Sequence, residues 1–177
     1  AVVIDFQQNC CQKEADVQKN IPNLYALIDM NDPDAIMAEV CSISLSVNPQ
    51  VDLEPINSAY QDVLRLFTGN FPGYQGCNTA YHDIFHTMDV LLASVRLVHG
   101  VATTGIAFSV DDVNQIILAA LMHDTGYIQR QSESSGTGAQ YTAIHIERSI
   151  DFILSYFPYS LKIKVDLEAM AQILRCT

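Results

Sequence analysis

Apolar residues in this chain recur at intervals of three and four rather than two. Ile116-Ile117-Leu118-Ala119-Ala120-Leu121-Met122 is the densest run, and no stretch of strict apolar/polar alternation reads as a strand. The pattern predicts an all-α fold, a single compact helical domain. Helices are expected over residues 13–30 and 34–46, separated by Asn31-Asp32-Pro33, where Asp before Pro is a start signal. A third is expected from Asn57 or Ser58 to Phe67. The Gly, Pro and Asn content of residues 68–76 then predicts a loop.

From Asn78 or Thr79 a long helix should carry Tyr81 to Val98 and stop at His99-Gly100. The next should open at Ser109, with Asp112 three residues on as a capping-box acid, and run to His123-Asp124-Thr125-Gly126. Residues 131–140, rich in Ser and Gly, read as a flexible loop. Helices at 141–156 and 160–175 follow, split by Phe157-Pro158. Residues 1–70 are the N-terminal helical part of the domain, and 71–177 its chemistry-bearing core.

Composition narrows the function. The chain has 177 residues, a single-domain length, with 49% hydrophobic residues and a formal charge of −11 from nine Lys plus Arg against twenty Asp plus Glu. Such a field repels polyanions, which argues against nucleic-acid polymers and anionic membranes as partners. Uninterrupted apolar runs fall far short of the roughly 20 residues that span a bilayer, and the start lacks a signal-peptide layout. The expectation is a soluble, cytoplasmic protein. Five cysteines without C-x-x-C spacing indicate neither a disulfide framework nor a thiolate zinc site.

Two constellations carry chemistry. His82, His86 and Asp89 are spaced i, i+4 and i+7, so on one helix they fall within a sector of about 60°. With Val90 and Ala93 beside them that face reads as core-directed, where ionisable groups need partners or a metal. His123-Asp124 closes the apolar helix, and the two can converge on one ion only if the helix loosens, which Thr125-Gly126 allows. Imidazole and carboxylate ligands suit one or two divalent ions such as Zn, Mn, Fe or Mg.

These motifs resemble the HD-domain superfamily of metal-dependent phosphohydrolases. Tyr81-His82-Asp83-Ile84-Phe85-His86-Thr87-Met88-Asp89-Val90 is similar to the Y-H-N-x-x-H-x-x-D-V signature of its cyclic-nucleotide phosphodiesterase branch, and Leu118-Ala119-Ala120-Leu121-Met122-His123-Asp124 to its L-A-A-L-x-H-D helix end. Asp83 stands where that branch has Asn, and Tyr127 where it has His. The resemblance implies an HD-type fold, with His86, His123 and Asp124 as metal ligands and Asp124 able to bridge to a second ion. It also implies His82 as the acid that protonates the leaving oxygen, and an Asp ligand just beyond Thr177. Asp89, Asp83, Tyr127 and His145 are then candidates for supporting the ligands or touching substrate, His145 also for a second metal. Glu147 and Arg148 are expected to face water.

The implied activity is hydrolysis of a small phosphate ester, a nucleotide phosphodiester in particular, by metal-activated water. A homodimer or fusion to further domains is compatible with it. The alternatives are a catalytically silent signalling or scaffolding module, and a metal-dependent oxygenase on the same scaffold, which would need further His and Asp ligands.

Overall fold

The computed structural model describes residues 28–133, 135–160, 163 and 165–177. Among these the chain is all-helical: α1 Pro33–Val47, α2 Leu53–Phe67, α3 Ile84–Ala102, α4 Val110–Met122, α5 His145–Ser160 and α6 Leu167–Arg175. Short 3-10 turns at Thr125–Tyr127 and Gly138–Tyr141 lie between α4 and α5. Of the helix expected over 13–30 only the last three residues are described, as bend and turn; Cys10 and Cys11 lie outside the described residues.

Side-chain caps set where five of the six helices begin. Asp32, Asp52, Asp83, Ser109 and Asp166 each accept backbone N–H groups of the first turn. At Ser109 the full capping box with Asp112 forms. Asp52 starts α2 at Leu53, earlier than expected, which leaves Pro55 in the first turn, where its missing N–H costs nothing. Asp83 starts α3 at Ile84, later than expected, so His82 and Asp83 precede the helix instead of riding on it.

Two endings also differ from the sequence reading. α3 continues through His99-Gly100 to Ala102, and the glycine with positive φ, 94°, is Gly105. α5 runs through Phe157-Pro158 to Ser160; the carbonyl that Pro158 leaves without its helical donor is that of Leu154, one turn back on an exposed residue, where water can serve instead.

α4 is the central element and packs against α2, α3 and α6, while α1 lies along α3. Val113 and the run Ile117 to Met122 are buried, so the helix that is apolar on nearly every side is the one enclosed on nearly every side. Around it close Ile36 and Val40 of α1, Ile56, Val63 and Leu66 of α2, and Met88, Leu91 and Leu92 of α3. By length and composition alone α3, with a mean hydropathy of 1.3, would suffice to cross a bilayer; here Met88, Leu91, Leu92 and Val95 face the bundle core.

Beyond α4 the chain is tied back to α5 by Arg148. Its Nε donates to the Gly126 carbonyl at 2.8 Å, Nη2 to that of Ile128 at 3.2 Å, and Nη1 and Nη2 reach Glu133 at 2.9 and 3.0 Å. The guanidinium also stacks 3.7 Å from the Tyr141 ring centre. Arg148 therefore faces inward, against expectation, while Glu147 is exposed and pairs with Arg175.

The Arg148 hydrogen bonds hold the Glu133 carboxyl at about 2, against an ordinary 4.5. A depressed carboxylate contributes stability above its unfolded value and loses it as pH falls toward the folded one. Arg148→Ala should cost about 1.5–3 kcal/mol at pH 7. Urea unfolding should show the gap to the parent protein narrowing from pH 4.5 toward pH 2; a gap independent of pH would contradict this role for the pair.

Candidate metal centre

The end of α4 delivers His123 and Asp124 to a turn. His123 is the C-cap, Asp124 follows with φ −103° and ψ 6°, and Thr125–Tyr127 tightens into a 3-10 turn. The rotation that separates neighbours on a helix is thus interrupted where the pair must converge. Gly126 contributes through close approach rather than backbone freedom. A Cβ there would drive into the His145 carbonyl, and its N–H donates to Ser149 Oγ at 2.8 Å. Ser149 in turn donates to the His123 carbonyl at 2.6 Å, which docks the turn against α5.

His82 comes from the loop before α3. Its carbonyl accepts from Thr79 Oγ1 at 2.8 Å and from Cys77 Sγ at 3.3 Å. Asn78 extends the bracing, with Nδ2 donating to Gln129 Oε1 and Oδ1 accepting from the Gly138 N–H. An antiparallel bridge between Tyr74 and Arg130 joins this loop's start to the segment beyond Asp124. Asp83 holds the next residues, its Oδ1 accepting the His86 N–H at 2.9 Å.

All four of these elements converge on one carboxylate. Asp124 Oδ2 lies 2.8 Å from His82 Nδ1, 3.4 Å from His86 Nε2 and 3.2 Å from His123 Nε2, and Oδ1 lies 4.0 Å from His145 Nε2. Asp124 is 2% exposed, whereas the His82 side chain, at 32%, is the most open of the four histidines. Ligand atoms of His82, His86 and Asp124 lie within 4.8 Å of one another, and this group could hold a metal ion. Bonds of about 2.0–2.1 Å to a tetrahedral Zn²⁺ place neighbouring donors about 3.3 Å apart, close to the 3.4 and 3.2 Å from Asp124 Oδ2 to His86 and His123 Nε2.

The protons on these rings make the case for a cation. His123 donates Nδ1–H to the Ala120 carbonyl and His145 donates Nδ1–H to that of Thr142, each at 2.8 Å. In the neutral ring each then has a bare Nε2 lone pair turned toward Asp124. A lone pair 3.2 Å from a carboxylate oxygen is repelled unless a proton or a metal lies between. The set therefore fits a divalent ion with nitrogen and oxygen preferences.

Electrostatics point the same way. Burial works to lower the His123 pKa, but the hydrogen bond to Asp124, that carboxylate's charge and the Ala120 carbonyl outweigh it and hold the ring above its ordinary 6.5. Burial works to raise the Asp124 carboxyl, and His123 and His82 outweigh it and keep it below 3.8. Burial lowers the His86 pKa below its ordinary value, and the Asp124 charge offsets this only in part.

The remaining sequence candidates divide. Tyr127 is buried, and its ring stacks on His82 at 4.1 Å and on His145 at 4.4 Å, so it backs the site from inside. His145 is drawn in beside Asp124, its Nε2 4.0 Å from Oδ1. Asp83 is the cap of α3. Asp89 and Ala93 are exposed, contrary to the core-directed face expected of them, because the buried stripe of α3 is the one carrying Thr87, Met88, Leu91, Leu92 and Val95, and 100° per residue puts Asp89 and Ala93 on the other side; Asp89 reaches His86 through its charge. The sequence reading missed Ser149, which had no signal, and Asp83 as a cap, whose signal was an Asp just before an apolar helix.

A cleft of about 850 Å³ opens elsewhere, between the start of α4 and α6. Two of its three acids, Asp112 and Asp166, are occupied in helix capping, the third being Asp111, and its lining includes no histidine, so the cleft and the histidine cluster are separate in this molecule. No family model, curated protein or solved structure matches the chain, and the centre is read from its own residues.

A metal must displace the proton that His123 shares with Asp124. Mn²⁺ binding should therefore release protons and weaken as pH falls. Calorimetry in two buffers of different ionisation enthalpy measures the release; binding with no proton released would contradict the geometry.

Proposed function

We propose that this chain is a divalent-metal-dependent phosphohydrolase acting on small phosphodiesters, nucleotide esters among them, of the HD type its motifs resemble. What carries the reading is the buried Asp124 carboxylate with three imidazole nitrogens around one oxygen, an arrangement whose charges call for a cation. His86 and His123, through Nε2, and Asp124 would hold the ion. A divalent ion bound there supplies a water activated near neutral pH and charge to offset the phosphoryl oxygens.

His82 has a different task in this scheme. Asp124 engages its Nδ1, and the ring is the most open of the four, so its Nε2 is the nitrogen left for a substrate. Protonated on both nitrogens, His82 donates Nδ1–H to Asp124 and Nε2–H to the departing alkoxide. Tyr127, stacked beneath it, holds the ring plane.

Charge favours diesters over monoesters. Four of the five described arginines, Arg65, Arg96, Arg148 and Arg175, are paired with carboxylates, and Arg130 is exposed. One ion offset by Asp124 balances the single charge of a diester better than the charge of about −1.5 to −2 on a monoester near neutral pH.

With Mn²⁺ and bis(p-nitrophenyl) phosphate, His82→Ala is expected to keep metal and fold but lower kcat about 10²- to 10⁴-fold, while Asp124→Ala loses both metal and turnover. Parent protein that binds Mn²⁺ yet shows no hydrolysis would support instead a silent HD-like module. Loss of metal in His82→Ala would make His82 a ligand rather than the acid.

A further inference from the structure

Tyr81 is the large aromatic side chain at the site that the hydrolytic scheme leaves without a task. It is 66% exposed, yet its ring lies 4.6 Å from that of His86, tilted by 40°, and 5.2 Å edge-on from that of His82. It belongs to the loop pinned by Thr79, Cys77 and Asn78, so its position is set before any ligand arrives. Core packing does not account for an aromatic ring that is two-thirds in water, and among the described residues no hydrogen bond of its hydroxyl fixes it there. What fixes it is ring contact with the two imidazoles on the open side of the Asp124 cluster, opposite in character to buried Tyr127.

On the reading that a phosphoryl group sits at the His–Asp cluster, we propose that Tyr81 is a stacking platform for a planar aromatic moiety of the substrate, a nucleobase in particular. An exposed ring beside the phosphate position offers one face to a second ring at van der Waals distance, and every base has a π-face to present. A neutral base is also indifferent to the field of a chain carrying −11, which penalises every additional phosphate. Stacking is therefore a recognition force this acidic site can use without cost.

Phe85 supplies an internal control. It is also exposed, at 43%, and adjacent to His86 in sequence, but among the described residues its ring pairs with no site histidine.

The test is calorimetric titration of Mn²⁺-loaded protein with adenosine 5′-monophosphate and with ribose 5-phosphate, which share the phosphate and differ by the base. The base should tighten binding about 5- to 150-fold. Tyr81→Ala should bring that ratio close to one with ribose 5-phosphate affinity unchanged, whereas Tyr81→Phe and Phe85→Ala keep it; Tyr81→Leu repeats the measurement should the alanine variant not fold. A ratio near one in the parent protein, no binding of the nucleotide, a ratio that survives loss of the Tyr81 ring, or an equal loss in Phe85→Ala would overturn the proposal. Diester hydrolysis is scored separately. A Tyr81-dependent ratio without turnover removes the hydrolase and keeps the platform, and turnover with a ratio of one does the reverse.

Discussion

A carboxylate that is 2% exposed and faces four imidazole rings has to share a cation with them, because two of those rings have already spent their Nδ1 protons on backbone carbonyls. Without a metal the cation they can share is a proton, and the raised histidine and lowered carboxyl of His123 and Asp124 reflect that pairing. A divalent ion bound there would replace that proton with a charge that several donors can share at once. The rest of the molecule is arranged so that these donors meet at a fixed point.

Fixing the point takes a core helix, a turn and a clamp. α4 is buried along nearly its whole length, so its C-terminal end cannot shift without disturbing the centre of the bundle. Gly126 then lets α5 approach to backbone distance, and Ser149 and Arg148 bond the carbonyls of His123, Gly126 and Ile128. The opposite wall is a loop, but one whose carbonyls and side chains are engaged at Cys77, Asn78, Thr79 and Asp83. Precision at Asp124 is therefore shared between one rigid helix and one hydrogen-bonded loop.

Much of the helical fold was legible because the 3.6-residue pattern and the caps at Asp32 and Ser109 are local signals. The break at His123-Asp124 was legible for the same reason: an apolar run meeting a short polar, glycine-containing segment. The entry to α3 was not. Helical spacing put His82, His86 and Asp89 on one face, but the cap at Asp83 severs His82 from that helix, and long-range bonds to Gln129 and Gly138 place it instead. His82 reaches Asp124 all the same, while Asp89, the residue that helical spacing tied to it, points to water. Arg148 shows the same limit. Its neighbours suggest a solvated face, and only the chain folded back through residues 126–133 turns it into a part-buried tie.

Histidine nitrogens and the Asp124 oxygen are the atoms proposed to hold a metal, and X-ray absorption at the zinc edge of Zn²⁺-loaded protein reads those atoms directly. A first shell of nitrogen and oxygen with the outer-shell scattering of at least two imidazoles, lost in Asp124→Ala, is the predicted spectrum. A sulfur-containing shell, or a hydrated ion with no imidazole scattering, would contradict it.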